Sequence, residues 1–282
     1  VILMNKQKIS AGISEIFDAS PEKTITENPI DESVAGLVMF DKPIFGIGSA
    51  ADPLFETFKK VGVIGPWHMS PNEWLPEAKS IVSLFFPFSE RVKADNRRYT
   101  DRPSPAWLHG RIEGQAFIHA YMRRLGEWFG KRGVKYCIPA SDKRFLQIDS
   151  HNNTKLDGYP MSDVHTYGSN WSERHAAYVC GLGTFGLSKG LITVRGVAGR
   201  YASIILDADL PADTRSYNDI YEYCIKCGRC ADRCPAHAIS LENGKDHIKC
   251  SEYCTEMAKQ FLPRYGCGLC QTDVPCESRN PN

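Results

Sequence analysis

The sequence lacks any apolar run near the ~20 residues that a membrane-spanning helix requires. Its opening stretch, VILMNKQKIS, is apolar for only four positions and has no basic residues ahead of them, so it does not read as a secretory leader. A twin-arginine signal is also missing. Neither sign of charge dominates: the formal net charge is +1 over 282 residues, which gives no general field for nucleic acid or an anionic membrane. There is no internal repeat and no low-complexity tract. These absences lead to the expectation of a cytoplasmic protein without membrane contact. With 42% hydrophobic and 24% charged residues, the composition suits a globular chain with room for one large domain and a small one.

What is present in quantity is cysteine, and it is clustered. Of 11 cysteines, eight fall between Cys224 and Cys270, and Cys276 follows. An extracellular disulfide framework belongs to a shorter chain, which leaves metal ligation. A lone C-x2-C pair would suit zinc. The run CIKCGRCADRCP is more specific. Its spacing C-x2-C-x2-C-x3-C-P over Cys224, Cys227, Cys230 and Cys234 is that of two-cluster ferredoxins, in which three thiolates hold one [4Fe–4S] cluster and the fourth holds the other. The second run, GCGLCQTDVPC, has Val274 where the usual spacing would close, and Cys276 is the replacement. The crossed pattern assigns Cys224, Cys227, Cys230 and Cys276 to one cluster. Cys234, Cys267, Cys270 and either Cys250 or Cys254 then hold the other. Pro235 turns the chain away after Cys234. The isolated Cys137 and Cys180 read as small buried hydrophobes.

Upstream, residues 1–35 are polar with scattered prolines and read as an arm or a short helix. Residues 36–210 form a core. GLVMFDKPIFGIG has strand-like content broken by Pro43 and glycines. DPLFETFKKVG reads as a short capped helix, AKSIVSLFFPF as a buried strand ended by Pro87, and DNRRYTDRPSPAWLHG as a loop. From Arg111 to Gly133, apolar residues recur at three and four (Ile112, Phe117, Ile118, Tyr121, Leu125, Trp128, Phe129), which predicts a long amphipathic helix. A second helix opens at Ser172, and GLITVRG and YASIILDADL are strands. Alternating strands and helices favour an α/β (α+β) core. Residues 211–282 form the cysteine-rich module.

The stretch from Ser172 to Leu210, SERHAAYVCGLGTFGLSKGLITVRGVAGRYASIILDADL, resembles the core of epoxyqueuosine reductases and reductive dehalogenases. Glu173, Arg174, Ala177, Gly181, Leu182, Gly183 and Gly186 match their E-R-x-x-A-x-x-x-G-L-G-x-x-G pattern. WLPEAKSIVSLFFPF and YMRRLGEWFGKRG resemble the reductases' upstream strand and following helix, so the likeness covers roughly residues 40–276. It implies a nitroreductase-like, cobalamin-binding core feeding from a ferredoxin-like module with two [4Fe–4S] clusters. It also implies base-off cobalamin approached by Gly181, Leu182, Gly183, Gly186 and Ser188, and it favours Cys250 over Cys254 as ligand. A dinucleotide loop is the alternative for G-L-G-x-x-G, but that fingerprint follows a strand and this one follows a helix.

Counting back from Glu173, the reductases place an acidic proton donor where this chain has Tyr167. Reductive dehalogenases use a tyrosine. The resemblance therefore implies Tyr167 as proton donor, assisted by Arg174. No helical-repeat extension follows the clusters and the charge is near neutral, so transfer RNA is not expected as a partner. The expected activity is a cobalamin-dependent iron–sulfur reductase that cleaves a small-molecule substrate, with reduced ferredoxin or flavodoxin as donor. Two other readings stand beside it: a corrinoid-reducing electron carrier, and a short epoxyqueuosine reductase acting on transfer RNA. Plainer roles fit the remaining polar residues. His151, His165 and His175 suit scaffold positions; Trp67 and Trp107, with His68 beside them, suit core packing; Arg195 and Arg200 suit solvated cations as well as corrin contacts.

Overall fold

The computed structural model describes residues 4–149 and 167–282. Its strands are β1 (Ile44–Ser49), β2 (Ser80–Pro87), β3 (Tyr136–Cys137), β4 (Gln147–Asp149), β5 (Tyr167–Ser169), β6 (Gly183–Phe185), β7 (Leu191–Thr193), β8 (Gly199–Leu206), β9 (Ile239–Ser240) and β10 (Gly244–Lys245). Its helices are α1 (Lys6–Asp18), α2 (Leu54–Phe58), α3 (Pro71–Trp74), α4 (Glu90–Arg97), α5 (Pro105–Gly130), α6 (Glu173–Val179), α7 (Arg229–Asp232) and α8 (His247–Phe261).

The apolar run SIVSLFFP is buried at every position and forms the centre of the main sheet, as a strand covered on both faces must. The strand order is β1-β2-β8-β3. All three pairings are antiparallel, with Gly46, Ser83 and Ser203 in register across the sheet. The fold is therefore mixed α+β without the parallel crossovers that alternation along the chain suggests. The partners β2 and β8 are brought together by burial and not by a local connection. Val82, Leu84, Phe86, Ala202, Ile204 and Leu206 face one core, which α1 and α5 cover. Ile81, Ile205 and the buried side of α6 belong to the core on the opposite face.

The N-terminal segment holds a helix of 13 residues. Its apolar positions recur every four residues, and Ile9, Ile13 and Phe17 are buried. Phe17 meets Phe117 edge-on at 6.0 Å, and the Tyr121 hydroxyl donates to the Ile13 carbonyl at 2.9 Å. Each such buried side chain contributes about 1.5–3 kcal/mol. The stretch from Asp95 to Gly110, expected as a loop, instead carries the end of α4 and the start of α5. The sequence held the signal: the Ser104 hydroxyl accepts from the Trp107 amide at 3.1 Å and Pro105 occupies the first helical position. The glycines that break the β1 pattern have a packing cause. A Cβ on Gly46 would lie 2.1 Å from the Cys180 carbonyl, so the end of α6 presses directly on the strand.

The cysteine-rich module is bolted to this core. Buried Arg233 donates to the carbonyls of Leu269, Asn96 and Tyr99 at 3.2–3.4 Å. Arg97 of α4 binds both carboxylate oxygens of Glu277, and the Val197 amide donates to the Cys276 carbonyl at 2.8 Å. Trp107 packs beneath Gly268, where a Cβ would meet its ring at 1.8 Å. No described helix is long and apolar enough to cross a membrane.

Candidate metal centre

Two groups of thiols converge in the module. Gly228, at φ 78°, opens the four-residue α7 and turns the first cysteine run on itself. Cys224, Cys227 and Cys230 then surround the incoming Cys276. Cys234 leaves this group and joins Cys250, Cys267 and Cys270. Burial first, then crowding by neighbouring thiols, pushes Cys230, Cys267 and Cys276 up to about 12. A four-iron cube takes one thiolate at each iron corner. The donor set and its grouping fit two such cubes.

Cys250 and Cys254 lie one turn apart on α8. The Cys254 thiol donates to Cys250, and Lys245 lies beside it; together they hold Cys250 below the usual thiol range. Both Cys267 and Cys270 have Cys250 as a neighbour, whereas Cys254 reaches Cys267. Cys137 and Cys180, by contrast, are buried in the apolar layer around Ile81 and Ile205.

The glycine-rich segment is a hairpin of β6 and β7, in which Gly183 pairs with Thr193. Gly181 follows α6 at φ 78°, the left-handed position that ends a helix. A Cβ on Gly183 would lie 1.8 Å from the Ile192 carbonyl. Gly183 is thus required by the hairpin itself. Leu182 and Ser188 are each 7% exposed and help close it. Gly183→Val is expected to spring this hairpin and lower the melting temperature. Thermal melts of parent and variant check it; equal melting temperatures contradict it.

Glu173 opens α6 and turns inward to the sheet. Neither of its carboxylate oxygens has a hydrogen-bond partner. Ser203 and Trp171 are its polar neighbours, but they bond to each other, Trp171 Nε1 donating to Ser203 Oγ at 2.9 Å. Burial raises the Glu173 pKa from 4.5 to about 7. A carboxyl raised in the folded state favours folding while protonated. Its contribution is complete below pH 4.5 and is lost as the pH climbs through about 7. Glu173→Gln, which cannot ionise, is expected to melt higher than the parent at pH 8 and to lose that advantage by pH 4.5. Equal melting temperatures at pH 8 would contradict this.

Arg174, the next residue, points the other way. It is exposed and donates to the Lys189 carbonyl at 2.6 Å. Burial lowers its pKa, and Tyr201 and the thiols Cys270 and Cys250 raise it. Arg200 donates to Gln115 Oε1 on α5 at 3.1 Å. The polar side of α5, with Arg111, Gln115 and His119 at i, i+4 and i+8, was legible as a helix face but not as a site. Arg195 instead pairs with Asp41 on the surface at 2.9 Å. His175 accepts or donates to Ser172 Oγ at 2.7 Å and packs on Phe58 and Phe185, and buried His68 stacks on Trp171. Trp107 is core, as expected. His151, His165 and the side chain of Tyr167 lie outside the described residues; the Tyr167 backbone pairs with Asp149.

Comparison with known proteins matches this anatomy. A 4Fe-4S binding domain model matches residues 217–240. Epoxyqueuosine reductase of Cyclobacterium marinum is 34% identical over 226 residues, covering 73% of this chain and 61% of that protein. The chain is similar to epoxyqueuosine reductases over nearly three quarters of its length. It spans about three fifths of that relative's length. A crystal structure of epoxyqueuosine reductase with an epoxyqueuosine-modified tRNA-Tyr stem loop superposes with TM-score 0.52 at 18% identity, over 95% of this chain and 66% of the other. A catabolic reductive dehalogenase superposes with TM-score 0.51 at 14% identity, over 96% and 37%. These two likenesses show the shared fold. The expectation that transfer RNA is not a partner is corrected by them: the named relatives are epoxyqueuosine reductases, and one family structure holds a tRNA stem loop. Near-neutral overall charge was a poor guide, because phosphate contacts depend on local placement of cations and not on their sum.

Proposed function

We propose that this chain is an iron–sulfur oxidoreductase of the epoxyqueuosine reductase type, with two [4Fe–4S] clusters and base-off cobalamin as resident cofactors and a modified base in transfer RNA as substrate. The observation that carries the reading is that the β6–β7 hairpin is tied to the cysteine-rich module: the Tyr223 amide donates to Thr184 Oγ1 at 2.8 Å, the Phe185 amide to the Ile220 carbonyl at 2.7 Å, and Lys189 Nζ to the Tyr221 hydroxyl at 2.8 Å. Electrons gathered by the module's clusters would be delivered to the segment that carries the hairpin and Arg174. The names of the relatives support the choice of a tRNA base over a free small molecule.

Cys224, Cys227, Cys230 and Cys276 would hold the outer cluster, and Cys234, Cys250, Cys267 and Cys270 the inner one. Cobalamin, when bound, supplies a cobalt centre that works at low potential and performs the bond cleavage. The chain's own part is to bind, orient and protonate. The hairpin of Gly181, Leu182, Gly183, Gly186 and Ser188 would approach the corrin. Arg174 would orient the substrate, and Tyr167 would supply the proton that the departing oxygen needs. Anaerobic reconstitution with iron, sulfide and cobalamin, followed by gel filtration, tests the cofactor set. Cobalamin should co-elute at one per chain, and an iron-loaded protein that passes cobalamin through unbound would favour the electron-carrier reading instead.

A further inference from the structure

Several arginines of this chain are answered by a close carboxylate. Arg144 meets Asp142 at 2.8 Å, Arg215 meets Asp52 at 2.5 Å and Arg229 meets Asp273 at 2.5 Å, and these three arginine side chains remain 32–47% exposed. Arg233 is different. Its side chain is 5% exposed, and its hydrogen bonds among the described residues all go to neutral oxygens. Nε donates to the Leu269 carbonyl at 3.3 Å. One Nη donates to the carbonyls of Asn96 and Tyr99 at 3.4 and 3.2 Å and to the Thr272 hydroxyl at 3.5 Å. The one described carboxylate that forms an ion pair with it, Asp273, stands at 3.7 Å, is exposed, and is already held by Arg229. Such a partner offsets little of a buried charge. A guanidinium buried this way is costly unless another anion stands near it.

The chain supplies that anion through its thiolates. Arg233 is covalently joined to Cys234, and the carbonyl that accepts from its Nε belongs to Leu269, the residue joined to Cys270. Both cysteines belong to the inner group. We propose that Arg233 is a positioning residue that sets the reduction potential of the inner cluster. The proposal rests on the cluster assignment given under the proposed function. Reduction adds one electron to the four-iron cube, breaks no bond and makes the cube one unit more negative. A fixed cation in a low-dielectric surrounding favours that more negative state and raises the potential. The carbonyl bonds to Asn96 and Tyr99 hold the cation in place and fix the inner ligands against the end of α4. An inner cluster raised above the outer one draws the electron inward, toward the core.

The test uses the reconstituted full chain and its Arg233→Met and Arg233→Lys variants, titrated with dithionite as reductant and followed by low-temperature EPR. Methionine keeps an unbranched side chain and loses the charge; lysine keeps the charge and loses the fork. Arg233→Met is expected to make the inner cluster about tenfold harder to reduce, a fall of about 59 mV for one electron. Arg233→Lys should stay closer to the parent than to Arg233→Met. A purely structural role would lower the melting temperature of both variants and leave the potential unmoved. Equal inner-cluster potentials in parent and Arg233→Met overturn the proposal, as does an equal fall in the Met and Lys variants. Cys234→Ala, which retains the outer cluster, identifies the outer signal, and a fall confined to that signal also overturns it. Arg233→Gln, which keeps an amide donor for the Leu269 carbonyl, serves if Arg233→Met takes up no iron. Iron analysis of the parent separates the two levels of the argument: a parent without iron refutes the cluster assignment and the proposal together, whereas a loaded parent with unmoved potentials in its variants refutes the role of Arg233 alone.

Discussion

Cys234→Ala is expected to lower the iron content from about eight to about four atoms per chain and to abolish turnover. Cys234 stands in the first cysteine run by sequence, only four residues after Cys230. In space it belongs with Cys250, Cys267 and Cys270. The outer cluster keeps Cys224, Cys227, Cys230 and Cys276 and should survive. The inner cluster should not assemble. Iron analysis and low-temperature EPR of the reduced protein distinguish the outcomes. Loss of the signal assigned to the outer group, with the inner one intact, would show that the crossed ligand assignment is wrong.

Tyr167→Phe is expected to lower turnover by ~10²-fold or more while leaving both clusters and cobalamin affinity in place. Reductive cleavage of a carbon–oxygen bond leaves negative charge on oxygen, and product forms only when a proton arrives. A phenol of pKa about 10 keeps its proton at neutral pH and gives it to a stronger base that develops beside it. Phenylalanine keeps the ring and deletes that proton. A structural tyrosine would instead show its loss in melting temperature, with turnover per folded molecule unchanged. Single-turnover rates measured alongside thermal melts separate the two, and an unchanged rate would remove Tyr167 from the mechanism.

The parts of the molecule that were legible in the sequence are those encoded locally. Iron ligation is set by short spacings, so the first cysteine run could be read from the sequence as a 4Fe-4S binding segment. The strand β2 announced itself by an unbroken apolar run, and the α6–hairpin segment by its glycines and the E-R pair. What escaped depends on contacts between distant segments. The antiparallel pairing of β2 with β8 joins residues more than one hundred positions apart, and no local pattern specifies it. The N-terminal helix became core because Ile9, Ile13 and Phe17 find Phe117 and Tyr121. Arg200 read equally as a solvated cation or a corrin contact, and only the fold supplies its partner Gln115. Glu173 matched a family motif, but only the fold shows its carboxylate turned inward toward Trp171 and Ser203. The start of α5 is a different kind of miss: Ser104 and Pro105 are a local signal that the surrounding polar residues obscured.

The most direct test of the central claim is nucleoside analysis by mass spectrometry after the anaerobically reconstituted, chemically reduced chain is incubated with a tRNA anticodon stem loop carrying epoxyqueuosine. The account predicts loss of one oxygen atom from the modified base, dependent on cobalamin and absent with Cys234→Ala. Unaltered epoxyqueuosine in the presence of protein loaded with both clusters and cobalamin would contradict it.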